Sequence, residues 1–483
     1  MNDSLPAPPT SERKARLQAL AEENVKARDA WIDKNLFYYE DHWRYLRFLI
    51  PPGLRVLDLA CNTGRLLAAL KPAHGVGVDF SPAMVDIARR NHPEFVYHAL
   101  DIEDPAALER LEGPFDVVVL SDGIGYLDDV EETLRRLHRL CTPDTRIVVS
   151  HYNHLWEPVL RLAEKIGAKM PTGEVNWLSA SDIENLLFLA DFEPVKREWR
   201  QFVPKRLLGL GRLINRFVAP LPLVRRLCLR NYVVARPRCR PAPVPPSVSV
   251  VIPCRNERGN IENAVRRLPR FDGPCEIVFV EGHSRDGTWE EVLRVKDAYP
   301  ELDIQCHRQD GIGKADAVWK GFAAAKGDVL MILDADLTVR PEDLPKFYRA
   351  IADGKGEFVN GTRMVYPMHS DAMQVLNYGA NWAFAGIFSY LLNQRFTDTL
   401  CGTKVLSRAA YRRIFDNRSY FGDFDPFGDF DLIFGAARLG LKIVEIPIRY
   451  MNREYGSTQI SRFRHGWLLL RMVWFAFFKL KAL

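Results

Sequence analysis

The sequence predicts an α/β protein of two domains, each a mainly parallel sheet covered by helices, and three observations carry this. At 483 residues the chain is too long for one hydrophobic core, because single cores stop growing at about 250 to 300 residues. Short apolar runs alternate with helical segments on both sides of a proline-rich stretch, the pattern that builds parallel sheets with crossover helices on their faces. Several of those runs end in an acid, at the edge where open α/β sheets collect ligands.

In the first half the strand runs are "RVLDLA", "GVGVD", "FVYHAL", "FDVVVLSDG" and "TRIVVSH", with helices expected from Gly64, Pro82, Asp128 and Trp156. In the second half they are "SVSVVIPC", "EIVFVEG", "DIQCHRQ" and "VLMILDAD". Ser81 before Pro82, Ser181 with Glu184, and Thr288 with Glu291 fit helix starts, where side-chain oxygens accept from the free N–H groups of a first turn. Between the halves, "ARPRCRPAPVPPS" (235–247) forbids helix and favours a stiff connector. The expected division is residues 1–235, a linker at 236–247, a second domain at 248–460, and a C-terminal amphipathic segment at 461–483.

Composition narrows the class. Hydrophobic residues make up 47% and charged residues 26%, which fits a folded protein. The eight cysteines are scattered with no two closer than eleven positions, so no CxxC element or compact disulfide framework is present and a reducing cytoplasm is expected. The start, "MNDSLPAPPTSERKARLQ", lacks the pattern of a secretory signal. "WAFAGIFSYLL" (382–392) and "WLLLRMVWFAFF" (467–478) fall short of the roughly 18 apolar residues of a spanning helix. The net charge of +5 is uneven: residues 196–240 carry thirteen Lys and Arg against Glu198 alone. No aromatic platform or nucleic-acid module accompanies that basic stretch, so nucleic acid is not an expected partner.

"RVLDLACNTGRLLAAL" (55–70) orders a strand, a tight turn and a helix so that a ligand meets a helix N-terminus. Asp79 follows Asp58 by 21 residues, a spacing at which a second-strand acid reaches ribose hydroxyls. Asp101 closes the next strand. This half resembles a class I S-adenosylmethionine-dependent methyltransferase, a Rossmann-like fold, over roughly residues 30–235. The resemblance implies that Asp58 and the turn from Ala60 through Asn62 to Gly64 approach the cofactor's methionine part. It also implies that Asp79 binds ribose and that Asp101 and Ile102 lie near adenine. The family's Gly-x-Gly-x-Gly is here Ala60-Cys61-Asn62-Thr63-Gly64. Asn62 tolerates a left-handed backbone, whereas Ala60 adds a methyl where backbone must come close. His151 or His154 is a candidate base and Tyr126 a candidate pocket residue.

"VLMILDADLTV" (329–339) drives an apolar run into two acids. On an extended backbone Asp334 and Asp336 point the same way and repel unless a cation stands between them, which suggests a divalent metal holding something anionic. Around them lie "SVSVVIPCRNERGNIENAV" with Glu257, "VEGHSRDGT" with Glu281, and "DGIGKADAVWKG" with Lys314. This order resembles a family 2 (GT-A) inverting glycosyltransferase over roughly residues 247–460. "TDTLCGTKVLSR" (397–408), "FGDFDLIFGAARLGLKIVEIPIRY" (427–450) and "NREYGSTQI" (452–460) look most like the polyprenyl-phosphate or dolichyl-phosphate mannosyl- and glucosyltransferases. By that resemblance Pro253, Glu257, Glu281, Lys314 and Asp334 hold a nucleotide-sugar donor, and Mg²⁺ or Mn²⁺ on Asp334 and Asp336 bridges its diphosphate. A lipid-phosphate acceptor is already an anion and needs arginines, for which Arg363, Arg449 and Arg453 are the candidates. A sugar hydroxyl would need a base, Asp429 or Asp431.

Two segments mix leucines with cations: 205–234 and 464–483. Such stretches can lie on an anionic membrane surface; the alternative is packing on each other or across a homo-oligomer interface. The expectation is a bifunctional cytoplasmic enzyme, peripheral on the inner membrane face. It would transfer a sugar from a nucleotide-sugar to a polyprenyl-phosphate or lipid-linked acceptor, and use S-adenosylmethionine to methylate a related glycan or lipid intermediate. In the alternative reading the methyltransferase-like half is a non-catalytic docking or sensing module.

Overall fold

Two seven-stranded sheets organise the chain. The computed structural model describes residues 11–366, 375–422, 429–451, 453, 455 and 462–483. The chain divides into a unit ending at Arg238, with which Lys481–Leu483 are grouped, and a unit from Cys239 to Leu480.

The N-terminal sheet contains β1 (Arg55–Leu59), β2 (His74–Asp79), β3 (Val96–Ala99), β4 (Phe115–Ser121), β5 (Cys141–Tyr152), β6 (Phe192–Arg200) and β7 (Arg230–Pro237), in the order β3-β2-β1-β4-β5-β7-β6. The pairings from β3 to β5 are parallel, and β7 runs antiparallel to both β5 and β6. Val56, Leu57, Leu59, Val118, Val119 and Leu120 are all fully buried, as expected where helices cover both faces of a sheet. Ahead of it come helix α1 (Glu12–Lys34), capped by Ser11, and helix α2 (Leu36–Leu49).

Strand β7 corrects the reading of the basic segment. Residues 230–237 are buried along their whole length and not laid on a membrane. Arg230 donates two hydrogen bonds to Asp122 (3.0 and 2.7 Å), and Arg236 donates two to Glu193 (2.9 and 2.7 Å). The extended connector therefore starts after Pro237. In residues 205–227, by contrast, Leu207, Leu208, Leu210, Leu213, Leu223 and Leu227 are exposed.

The helix starts follow local chemistry closely. Ser81 caps the helix Pro82–Asn91. In "SASDIEN" the cap is Ser179 with Asp182, a reciprocal capping box, and not Ser181 with Glu184. Thr288 is no cap either: its hydroxyl donates to Asp286 and accepts from the N–H of Glu257, leaving Gly287 at the cap position.

The C-terminal sheet contains β8 (Val248–Cys254), β9 (Cys275–Glu281), β10 (Asp303–Arg308), β11 (Val329–Ile332), β12 (Phe358–Thr362), β13 (Lys404–Ser407) and β14 (Ile443–Pro447), ordered β10-β9-β8-β11-β13-β12-β14. Its odd strand is β13, antiparallel to β11 and β12. Within "NREYGSTQI" only Arg453 and Tyr455 are among the described residues, as is "FGDFDL…" from Asp429 onward. The helix Arg462–Ala476 buries Leu469, Met472 and Ala476 and exposes Trp467, Leu470 and Trp474. At the end of the C-terminal segment Leu480, Lys481 and Ala482 are buried, and Lys481 donates to Glu198. Among the described residues no helix is long and apolar enough to cross a membrane.

Candidate active sites

In the N-terminal unit the turn after β1 is unusually bent for its sequence. Ala60, Asn62 and Gly64 take φ of 65°, 50° and 78°, conformations that glycine adopts freely and alanine at a cost of about 1–2 kcal/mol. The Ala60 methyl is accommodated by Gly123, just past β4, where a Cβ would stand 2.8 Å from it. Asp79 locks the turn to β2 by accepting the N–H groups of Asn62 (2.9 Å) and Ser81 (3.0 Å). Asp58 is 1% exposed and neither of its carboxylate oxygens has a hydrogen-bond partner among the described residues. Burial, and then the neighbouring Asp79, hold its pKa well above the usual carboxylate range.

Asp58, Ala60, Asn62 and Asp79 line one cavity of about 160 Å³. Beside it an apolar slot is bounded by Leu17, Phe80, Leu100, Ile102 and Leu127. Asp101 borders that slot but is engaged: Lys14 of α1 donates to it (2.7 Å) and also pairs with Glu103. Helix α1 thus walls the cavity with Leu17, Leu20, Arg28 and Ile32, a role nothing in its sequence announced.

The far wall holds a histidine that the sequence did not single out. His42 of α2 is hydrogen-bonded through Nδ1 to Tyr232 Oη and through Nε2 to Ser121 Oγ, both at 2.8 Å. Burial, then Arg230, push its pKa well below normal, so it is neutral at physiological pH. Arg230 and Asp122 line the same cavity, and that ion pair overcomes burial to lower the pKa of Asp122. Tyr126 lines the cavity as expected. His151 and His154 do not line it; His151 is buried with Nε2 on the Asn176 carbonyl (2.9 Å).

In the C-terminal unit β11 stops at Ile332 and the two aspartates lie in a turn, not on extended backbone. The N–H of Leu337 donates to the Asp334 carbonyl (3.2 Å) and Leu337 takes φ of 53°. Each carboxylate has its own cation in place of one shared between them. Lys314 Nζ lies 2.6 Å from Asp334, and Arg453 lies 2.7 Å from Asp336 and 3.4 Å from Glu257. Burial alone would lower the pKa of Lys314, but Asp334, then Asp429 and Asp336, raise it instead. Burial would raise Asp336, and the hydrogen bonds from Arg453 and Thr338 bring it below its ordinary value.

These groups line a cavity of about 320 Å³ with Pro253. Gly282 is on its wall, and sequence reasoning missed Arg255 and Gln309 there. Glu281 is not on the wall: it is buried behind Gly282 and accepts from the Ser284 N–H. Gly402 packs closely on the Lys314–Asp334 pair: a Cβ there would overlap Asp334 Oδ2 and crowd Lys314 Nζ. Among the described residues no three His, Cys, Asp or Glu side chains converge on a metal position.

Two family models match the chain: a methyltransferase domain over residues 32–197 and glycosyl transferase family 2 over residues 249–418. The chain joins a methyltransferase domain to a family 2 glycosyltransferase domain. The glycosyltransferase half is similar to glycosyltransferase AglD of Haloferax volcanii, 27% identical over 47% of this chain and 37% of that protein. It is 39% identical to a dolichol-phosphate mannosyltransferase of Pyrococcus furiosus over 24% of this chain and 33% of the relative. It is also 29% identical to an undecaprenyl-phosphate mannosyltransferase of Micrococcus luteus, over 44% of this chain and 87% of that one. The chain thus spans about a third of the length of the first two of these relatives.

Within the glycosyltransferase unit the helix Asp429–Arg438 separates its two candidate bases. Residues two apart on a helix do not share a face. Asp429 faces Lys404 at 3.9 Å and acts electrostatically on Lys314, whereas Asp431 accepts from Arg418 Nε at 3.0 Å. Of the three arginines that are candidates for the acceptor, Arg453 borders the cavity, Arg449 lies 5.6 Å over the Tyr366 ring, and Arg363 is committed elsewhere. Arg363 donates to both oxygens of the buried Asp398 (2.7 and 2.8 Å), a structural ion pair.

Proposed function

We propose that the glycosyltransferase unit transfers a sugar, with inversion, from a nucleotide-sugar to a polyprenyl-phosphate or lipid-linked acceptor. The observation that carries this is the convergence of Asp334, Asp336, Lys314, Glu257 and Arg453 on one cavity at the strand ends. Two carboxylates, with no third protein ligand among the described residues, suit Mg²⁺ or Mn²⁺, ions that commonly complete their shells with substrate phosphates and water. Such an ion on Asp334 and Asp336 would neutralise charge on the leaving diphosphate. With the carboxylates so engaged, Lys314 and Arg453 are freed to bind phosphate oxygens, and Asp429, which acts electrostatically on Lys314, is the candidate to orient an acceptor. The polyprenyl-phosphate acceptor is supported by the names of the relatives.

In the methyltransferase unit the unpartnered Asp58 suits the ammonium of S-adenosylmethionine, Asp79 the ribose, and the apolar slot a flat base; the donor would supply an electrophilic methyl. Methylation of a related glycan or lipid intermediate is the reading for this unit. The exposed leucines of residues 205–227, with Arg206, Arg212 and Arg226 among them, suit peripheral attachment to an anionic membrane, each nearby cation adding about 1 kcal/mol. A thermal-shift screen of UDP-, GDP- and dTDP-sugars with and without Mn²⁺ tests the donor site. The expected result is a metal-dependent rise in melting temperature with one nucleotide; no rise with any of them would remove the donor assignment.

A further inference from the structure

The methyltransferase unit holds another cavity, of about 220 Å³, that neither the cofactor nor the ion pairs explain. Tyr39 and Tyr152 line both it and the cofactor cavity, so the two are neighbours across a shared tyrosine wall. Its remaining lining is chiefly apolar and aromatic: Trp31, Trp156, Val159, Leu160, Phe202 and Leu229 are all on it. Among the described residues no acid lines it, and the two cations on it are already engaged. Lys169 pairs with Glu164 and lies 5.5 Å over the Tyr152 ring, and Lys205 donates to Asn35 Oδ1 at 2.8 Å.

Beyond the cavity the apolar surface continues outward. The helix Glu157–Lys165 exposes Val159 and Leu162, with Leu155 just before it and Ile166 just after. The segment that supplies Pro204 and Lys205 to the cavity runs on into the exposed leucines 207, 208, 210 and 213. An apolar route therefore leads from the wall of the methyl-donor cavity to an exposed apolar surface flanked by arginines.

We infer that this cavity seats the apolar chain of an amphipathic methyl acceptor, an alkyl or isoprenoid lipid, whose polar end meets the methyl donor at Tyr39 and Tyr152. The inference rests on the methyl-transfer reading proposed above. The cavity takes a short stretch of chain, and the rest of a longer chain lies over Leu207, Leu208, Leu210 and Leu213. Each methylene buried there is removed from water, which favours the bound chain. A soluble polar acceptor would leave the pocket's aromatic lining without a partner.

The test uses the full chain and farnesol, an isoprenoid alcohol without the phosphate that the glycosyltransferase unit would recognise. Radiolabelled farnesol is expected to bind saturably, one per chain. Ala163→Trp, which fills the cavity from the helix Glu157–Lys165, should weaken that binding at least tenfold while calorimetric binding of S-adenosylmethionine is unchanged. Should that variant lose donor binding through misfolding, Val159→Trp at the exposed edge serves in its place. Leu223→Glu, outside the cavity, should bind farnesol like the parent. Absence of saturable binding, or undiminished binding in the filled variants, overturns the inference. Farnesol binding in a chain that does not bind S-adenosylmethionine also overturns the acceptor assignment, but by removing the methyl-transfer reading and not the chain site.

Discussion

Each unit brings two aspartates to the ends of its central strands and treats them in opposite ways. Asp58 and Asp79 sit on neighbouring strands with no side-chain cation beside Asp58, so burial and mutual repulsion raise its pKa. Asp334 and Asp336 sit in one turn, each against its own cation, and Asp336 is held ionised below its ordinary value. The difference separates two ligand chemistries. A carboxylate without a partner is ready for a ligand that brings its own positive group. A pair already neutralised by Lys314 and Arg453 can take a divalent ion only if those side chains find new anions, which a diphosphate supplies.

The comparison depends on Arg453 and Arg363 playing different parts, and this gives the largest expected effect. Arg363→Ala strands Asp398 as a buried unpaired charge and should destabilise the fold by about 3–5 kcal/mol, read as a lowered urea midpoint. Arg453→Ala, at a partly exposed pair, should change stability by at most about 1 kcal/mol yet cut sugar transfer. Equal stability losses would undo the distinction between a structural and a functional arginine.

Next comes Asp336→Ala. Removing it should lower sugar transfer about 10²–10³-fold, as expected for several kcal/mol of lost charge stabilisation, with S-adenosylmethionine binding unchanged. Transfer at parental rate without added divalent metal would remove the metal reading.

Asp58→Asn sharpens the other side. A charge-assisted hydrogen bond contributes about 1.5–3 kcal/mol, so affinity for S-adenosylmethionine should fall roughly 10- to 100-fold in calorimetric titration. The sign of the stability effect follows from the raised pKa. The proton that folded Asp58 retains stabilises the protein fully below the ordinary carboxylate pKa of about 4, and this is lost as pH rises through the raised value. The Asn variant should therefore melt higher than the parent at pH 7 and alike at pH 4. A pH-independent difference would mean that Asp58 is ionised throughout.

The sheets were legible because buried parallel strands are continuous apolar runs: "RVLDLA", "FDVVVLSDG" and "SVSVVIPC" became β1, β4 and β8. Strand β7 was hidden because its charges are cancelled by Asp122 and Glu193, residues 108 and 43 positions away. Strands β12 to β14 lie among motifs that drew attention to chemistry instead of backbone. Asp429 and Asp431 could be separated only once helix phase was known, since neighbouring acids look equivalent in a string of letters. His42 had no sequence signal; its partners Ser121 and Tyr232 come from β4 and β7, and only the fold brings them together.

The smallest effect concerns the turn itself, where the methyltransferase unit departs from the glycine-rich pattern. Ala60→Gly relieves a left-handed alanine, offset by the greater freedom of glycine in the unfolded chain, for a net gain of at most about 1 kcal/mol. Gly123→Ala brings a Cβ to 2.8 Å from the Ala60 methyl and 3.1 Å from the Leu59 carbonyl oxygen, an overpacking that should destabilise by about 1–3 kcal/mol. In the double variant the methyl–methyl conflict is gone and the carbonyl conflict remains, so the two changes should couple favourably by about 0.5–1 kcal/mol. Strict additivity in denaturant midpoints would show that Gly123 does not make the room for Ala60, and the unusual turn would then owe its shape to Asp79 alone.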